Sequence, residues 1–253
     1  MLRTRFAKDI VAEFLPPASA RLRASRRTRV IIFCDGMPSV PKAQPFAEWL
    51  SKKGFWVFYP RYRGAWESGG IFLEKSPDED VIDVINGLSK GFTSLWDGKK
   101  FKLKPDEIFV IGTSFGGPAA ILASRDARVK KIVAISPVVD WRALNKDGSV
   151  DAEARFVCEA FGNGYRTDPH GYAKLKKGKF YSPAYCANEI DGAKLFIVHA
   201  KDDEVVRYRE VAQFAAAKKK QGAVFVSLKK GGHLSSRTTV EKYWKRIAKF
   251  FKG

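Results

Sequence analysis

Three cysteines, three histidines and two methionines are all that 253 residues contain of those types. Three cysteines cannot staple a chain this long, which excludes a disulfide scaffold. Cys34, Cys158 and Cys186 show no C-x-x-C spacing, and His170, His199 and His233 form no H-E-x-x-H, so no metal centre is expected. No glycine-rich dinucleotide fingerprint or P-loop occurs either, and no cofactor is expected. No run reaches the roughly 18 apolar residues that span a bilayer. The strongest apolar runs, residues 30–34 and 196–200, have strand length. Arg3, Arg5 and Lys8 are not followed by an apolar export segment, and Asp9 and Glu13 sit beside them. With unpaired cysteines, this predicts a cytoplasmic protein.

Acidic residues are also scarce: 27 Asp and Glu stand against 46 Lys and Arg, a net charge of +19. Such an excess raises nucleic acid, anionic membranes and acidic substrates as partners. Here it is spread over residues 21–29, 99–104, 174–179, 218–220 and 245–249, with no zinc-finger spacing, aromatic RNP motif or basic region feeding heptads. A solvated basic surface is the expectation, not a nucleic-acid site.

Six short apolar segments punctuate the chain, at residues 29–35, 55–62, 107–114, 131–138, 194–200 and 223–228. They are apolar nearly throughout rather than alternating, as strands covered on both faces read. A further strand is predicted at 10–15, before Pro16 and Pro17. Helical spacing lies between them. Phe46 and Leu50 precede a glycine stop at Gly54, and Val81, Val84, Ile85 and Leu88 recur at threes and fours. Val211, Phe214 and Ala215 precede the lysine run 218–220, and Val240, Tyr243, Trp244, Ile247 and Phe250 form a last amphipathic helix. Strand and helix alternate, which predicts one α/β domain over 1–253 with a mostly parallel central sheet and helices on both faces. Residues 141–185 break the alternation. Their aromatics among glycines and lysines read as a small cap-like insertion over the C-terminal edge of the sheet, with Trp141 expected to line a substrate pocket.

The chemistry concentrates at Gly112-Thr113-Ser114-Phe115-Gly116-Gly117. A strand runs into G-x-S-x-G and then into a helix-ready segment. A nucleophile on so tight a turn projects its hydroxyl above the sheet, and the following helix N-terminus offers N–H groups to a developing oxyanion. Serine is a poor nucleophile without a base, and the base needs an orienting acid. His199 lies inside a strand, where a structural role is expected, and His170 lies in the insertion. His233 follows Gly231-Gly232 after the last strand, where a base would reach Ser114. Three carboxylates, Asp202, Asp203 and Glu204, follow the fifth of those six segments and supply the candidate acids. The loop Gly36-Met37-Pro38 would lend the Met37 N–H to an oxyanion hole with that of Phe115.

These motifs resemble those of the α/β-hydrolase serine hydrolases from about Ile10 onward, and are most similar to the catalytic domain of the prolyl oligopeptidase group. The elbow carries the resemblance, with His199-Ala200-Lys201-Asp202-Asp203-Glu204-Val205-Val206 and Gly231-Gly232-His233. Arg61-Tyr62-Arg63-Gly64, Ser68-Gly69-Gly70 and Ser136-Pro137-Val138-Val139-Asp140-Trp141 support it. The resemblance implies a three-layer α/β-hydrolase fold. It also implies that the acid lies four residues after the strand-end histidine, which selects Asp203 and gives Ser114, Asp203 and His233 as the triad, with Asp202 as the fallback. The chain departs from the family pattern at Asp35-Gly36, where the family has His-Gly, and it has no room for a gating β-propeller. The expected activity is therefore cleavage of a small carboxylic ester. A peptidase of short peptides is the alternative, and a non-catalytic binding module on the same fold is a third reading.

Overall fold

The computed structural model describes residues 1–19, 27–143 and 150–253. Residues 21–26 of the first basic run and 144–149 of the expected insertion lie outside the described residues. An eight-stranded sheet forms the centre. Its strands are β1 (Leu2–Phe6), β2 (Ile10–Leu15), β3 (Arg29–Cys34), β4 (Trp56–Pro60), β7 (Glu107–Thr113), β8 (Val129–Ile135), β9 (Leu195–Ala200) and β10 (Val224–Leu228). Two short strands, β5 (Phe92–Thr93) and β6 (Lys100–Phe101), make a separate hairpin. The order across the main sheet is β1-β2-β4-β3-β7-β8-β9-β10. β1 pairs with β2 and β2 with β4 antiparallel, and every other pairing is parallel. The mostly parallel sheet expected from the sequence is thus observed.

Period-two alternation along the buried strands sorts the apolar side chains into two cores. Val30, Ile32, Val110, Ile132, Ala134 and Ile197 face one layer, and Ile31, Phe33, Phe109, Ile111, Val133 and Val198 face the other. The second layer is closed by α1 (Gln44–Lys52), through Phe46 and Leu50, and by α7 (Ser236–Lys252), through Val240, Ile247 and Phe251. The first is closed by α2 (Pro77–Lys90), α3 (Gly116–Ala123) and α6 (Tyr208–Lys218). Two further helices, α4 (Val150–Phe161) and α5 (Pro169–Lys176), lie between β8 and β9 in chain order. No helix among the described residues is long and apolar enough to cross a membrane.

The structure adds elements that the apolar pattern did not announce. β1 forms because Thr4 and Phe6 point inward while Arg5 points to solvent, so half of an arginine-rich segment is core. The basic surface is also partly structural. Lys218 is buried and donates to the carbonyls of Ala187 and Ile190, the latter at 2.9 Å. Arg63 is held by Asp9 at 2.8 Å, by Asp83 at 2.6 Å and by Asp80. A buried cation with three carboxylates is stable only as a set, since removing one partner leaves uncompensated charge.

One end of the first core is an aromatic cluster. Phe14 and Phe58 stack with centroids 5.8 Å apart, and Phe6, Phe92 and Phe101 pack around them. Phe58 is fully buried. Phe58→Ala is expected to cost about 3–5 kcal/mol in denaturant unfolding, the range for a large aromatic cavity. Trp96, which is 75% exposed at the hairpin tip, is expected to tolerate alanine within about 0.5 kcal/mol.

Candidate active site

β7 ends at Thr113, and the next residue, Ser114, adopts φ +51°. A non-glycine residue is rarely held there, and only a closely packed turn sustains it. Three contacts sustain this one. The Ser114 N–H donates to the Ile135 carbonyl at 2.9 Å, and the Ser114 carbonyl accepts from Gly117 at 3.0 Å and from Val138 at 3.3 Å. The glycines are required by close approach. A Cβ on Gly112 would overlap the Gly116 carbonyl, and one on Gly116 would overlap the Cys34 and Asp35 carbonyls. The strand, the turn and α3 therefore meet with no space for side chains between them, and the half-buried Ser114 stands at the C-terminal edge of the sheet.

Asp203 sits in the turn after β9 with its side chain fully buried. One carboxylate oxygen accepts from the Val205 and Val206 N–H groups, each at 3.0 Å. His233 brings Nδ1 to 3.1 and 3.0 Å from the two oxygens. Burial alone would raise the carboxyl pKa. Hydrogen bonds from His199, His233 and the Val206 amide outweigh it and hold the group well below the usual carboxylate range. A carboxylate that only accepts fixes the tautomer of His233: the hydrogen is on Nδ1, and Nε2 is left for other partners.

The loop carrying His233 is tied at both ends. Asp202 accepts from the Gly231 and Gly232 amides at 3.2 and 2.9 Å. Leu234 donates from its amide to Ser136 Oγ at 3.2 Å, just beyond β8. Asp202, the fallback acid, is thus engaged with the backbone that precedes His233, and Asp203 is the carboxylate on the ring. Ser114 is at the same rim. Among the described residues, however, no hydrogen bond joins Ser114 Oγ to the His233 ring, which is 27% exposed. His170 is exposed on α5.

Gly36 lies directly against Ser114, since a Cβ there would come 3.2 Å from Ser114 Cβ. Among the described residues, neither the Met37 nor the Phe115 N–H has a hydrogen-bond partner. Four tyrosines pin the loop between β3 and α1, a feature that sequence reading missed. Tyr59 donates to the Asp35 carboxylate at 2.8 Å and Tyr62 to the Asp35 carbonyl at 2.9 Å. Tyr165 accepts from the Ser39 amide at 3.0 Å, and the Tyr172 hydroxyl lies 3.7 Å from Met37 Sδ. Asp35 is half-buried, and desolvation raises its pKa against the hydrogen bonds from Tyr59 and Gly36. Trp141 is 4% exposed. Its indole donates to the Tyr181 carbonyl at 2.7 Å and its ring packs 5.6 Å from Phe115. Tyr181 in turn donates to the Phe115 carbonyl at 2.5 Å. Trp141 therefore packs beneath the elbow rather than standing open as a wall. Among the described residues, no group of three or more His, Cys, Asp or Glu side chains is placed to hold a metal ion.

The family model of the prolyl oligopeptidase family matches residues 43–253. No curated protein matches the chain. Solved structures do. An esterase of Pyrococcus furiosus, Pf2001, superposes with a TM-score of 0.67 at 18% identity, over 99% of this chain and 89% of that one. An acylaminoacyl peptidase of Pyrococcus horikoshii gives 0.65 at 18% identity, over 99% of this chain but only 40% of the peptidase. Est1E of Butyrivibrio proteoclasticus, solved with ferulic acid, gives 0.65 at 15% identity over the whole of both chains. With the eight-stranded sheet and the strained serine turn, these matches make the chain a serine hydrolase of the α/β-hydrolase fold, and it belongs to the prolyl oligopeptidase family.

Proposed function

We propose that the protein hydrolyses a small carboxylic ester through an acyl-enzyme formed on Ser114. The observation that carries this reading is the Asp203–His233 pair, 3.0 Å apart, at the same sheet edge as a serine held at φ +51°. His233 Nε2 takes the proton of Ser114 Oγ as that oxygen bonds to the carbonyl carbon. Asp203 remains ionised and stabilises the imidazolium. The oxyanion is met by the N–H groups of Met37 and Phe115, each such donor contributing roughly 3–4 kcal/mol to transition-state stabilisation. Collapse breaks the bond to the alkoxide, which leaves with the proton from His233. Water then attacks the acyl carbon, gives its proton to His233 and releases the acid, and the same proton returns to Ser114.

The likeness to an esterase over 89% of that protein supports an ester as the substrate. Three free cysteines agree with a reducing, cytoplasmic setting.

A fluorophosphonate probe is expected to label the native chain, and Ser114→Ala is expected to abolish labelling. The same change should lower nitrophenyl-ester turnover by roughly four orders of magnitude or more while the thermal midpoint is kept. Unchanged turnover would move the chemistry away from Ser114. The pH dependence follows from Asp203. A carboxyl held below its ordinary range stays ionised from about pH 5 to 9, so Asp203 should add no ionisation to the pH profile of kcat/KM in that window. For stability, a depressed folded-state pKa stabilises the fold above the ordinary carboxylate range and is lost as pH falls through the folded value. Asp203→Asn should therefore shrink the loss of stability measured below about pH 4.

A further inference from the structure

His199 is the penultimate residue of β9, and its side chain has no solvent exposure. Along this strand Leu195 and Ile197 fill the core beneath α2, α3 and α6, and His199 follows them on the same face. An aliphatic side chain would suit that place. Instead the imidazole brings Nε2 to 3.0 Å from the Val206 carbonyl and 3.3 Å from Asp203 Oδ2. Both neighbours only accept, so Nε2 carries a hydrogen shared between them. Nδ1 is buried without a hydrogen-bond partner among the described residues, which fits a neutral ring with no second hydrogen. The titratable groups facing the ring are Asp203 and, on α6, Tyr208, whose ring stands edge-on at 5.9 Å. His233 lies beyond Asp203.

Asp203 is thus held between two imidazoles, His233 from the solvent side and His199 from the core, while two backbone amides fix one oxygen. We infer that His199 is a positioning residue, an N–H donor that aims the Asp203 carboxylate at His233 and limits how strongly it attracts the imidazolium. The inference rests on the reading of Ser114, Asp203 and His233 given above. It goes beyond closure of the turn after β9, for which the bond to Val206 alone would suffice. If that donor is lost, the carboxylate becomes the stronger acceptor, the imidazolium is held more tightly, and its aim toward the ring is loosened.

The test compares His199→Leu, which removes the donor, with His199→Gln, which keeps an N–H at similar reach. Leu is expected to lower kcat on a nitrophenyl ester by roughly tenfold to a hundredfold, the range for an outer-shell partner of a functional group. KM should stay within about twofold, and the acid limb of kcat/KM should move to higher pH. Gln should restore most of kcat. A Leu variant that loses thermal stability but keeps the native kcat and acid limb would make His199 a packing residue and overturn the inference. Nitrogen-15 histidine spectra of the unaltered full chain decide the matter even if the Leu variant does not fold. The His199 ring is expected to carry hydrogen on Nε2 and none on Nδ1. Hydrogen on Nδ1 overturns it. Failure of the fluorophosphonate to label the native chain would instead strike the Ser114 reading, and the spectra would stand apart from it.

Discussion

The structure turns on a steric constraint at the end of its central strand. Three backbone segments, the end of β7, the first turn of α3 and the loop leaving β3, approach so closely that Gly112 and Gly116 admit no β-carbon. Ser114 is forced into the left-handed region by that approach and is held there by amide contacts from the neighbouring strand and helix. Strain of this kind persists only where surrounding packing over-determines it. The fully buried α3, the two cores and the order of the parallel strands provide that packing. The same approach sets Gly36 against Ser114, where an added β-carbon would come within 3.2 Å of the serine's own.

Electrostatics is the second constraint. A buried carboxylate is costly unless its oxygens are filled, and Asp203 has two amides and two imidazoles around it. Burial and hydrogen bonding pull its pKa in opposite directions, and the hydrogen bonds prevail. Elsewhere the chain handles charge in the same manner. Arg63 sits among Asp9, Asp80 and Asp83, and Lys218 among carbonyls. A surplus of cations that reads as surface in the sequence is therefore partly interior.

Much of this was legible beforehand, for physical reasons. The parallel strands are continuous apolar runs because both faces are covered, and the elbow announces itself because close approach demands glycine. The choice of Asp203, four residues beyond His199, came from family resemblance, and its place against His233 is a geometric fact that spacing alone does not supply. What stayed hidden depends on tertiary contact. β1 is masked by the arginines that alternate with its core residues, and the β5–β6 hairpin is too short to show a period. Trp141 read as a pocket wall because aromatics in an insertion carry no sign of which way they face, yet it is buried under Phe115. The tyrosines that pin the Asp35 loop come from segments up to 135 residues away in sequence, and nothing local marks them.

Asp202 and Asp203 are neighbours with divided duties, one gripping the glycine pair ahead of His233 and the other gripping its ring. Carboxylate and imidazole are consequently mounted on a common carriage. A shift of the rim would carry the two together, restrained by the link from the Leu234 amide to Ser136 Oγ rather than, among the described residues, by a hydrogen bond to Ser114.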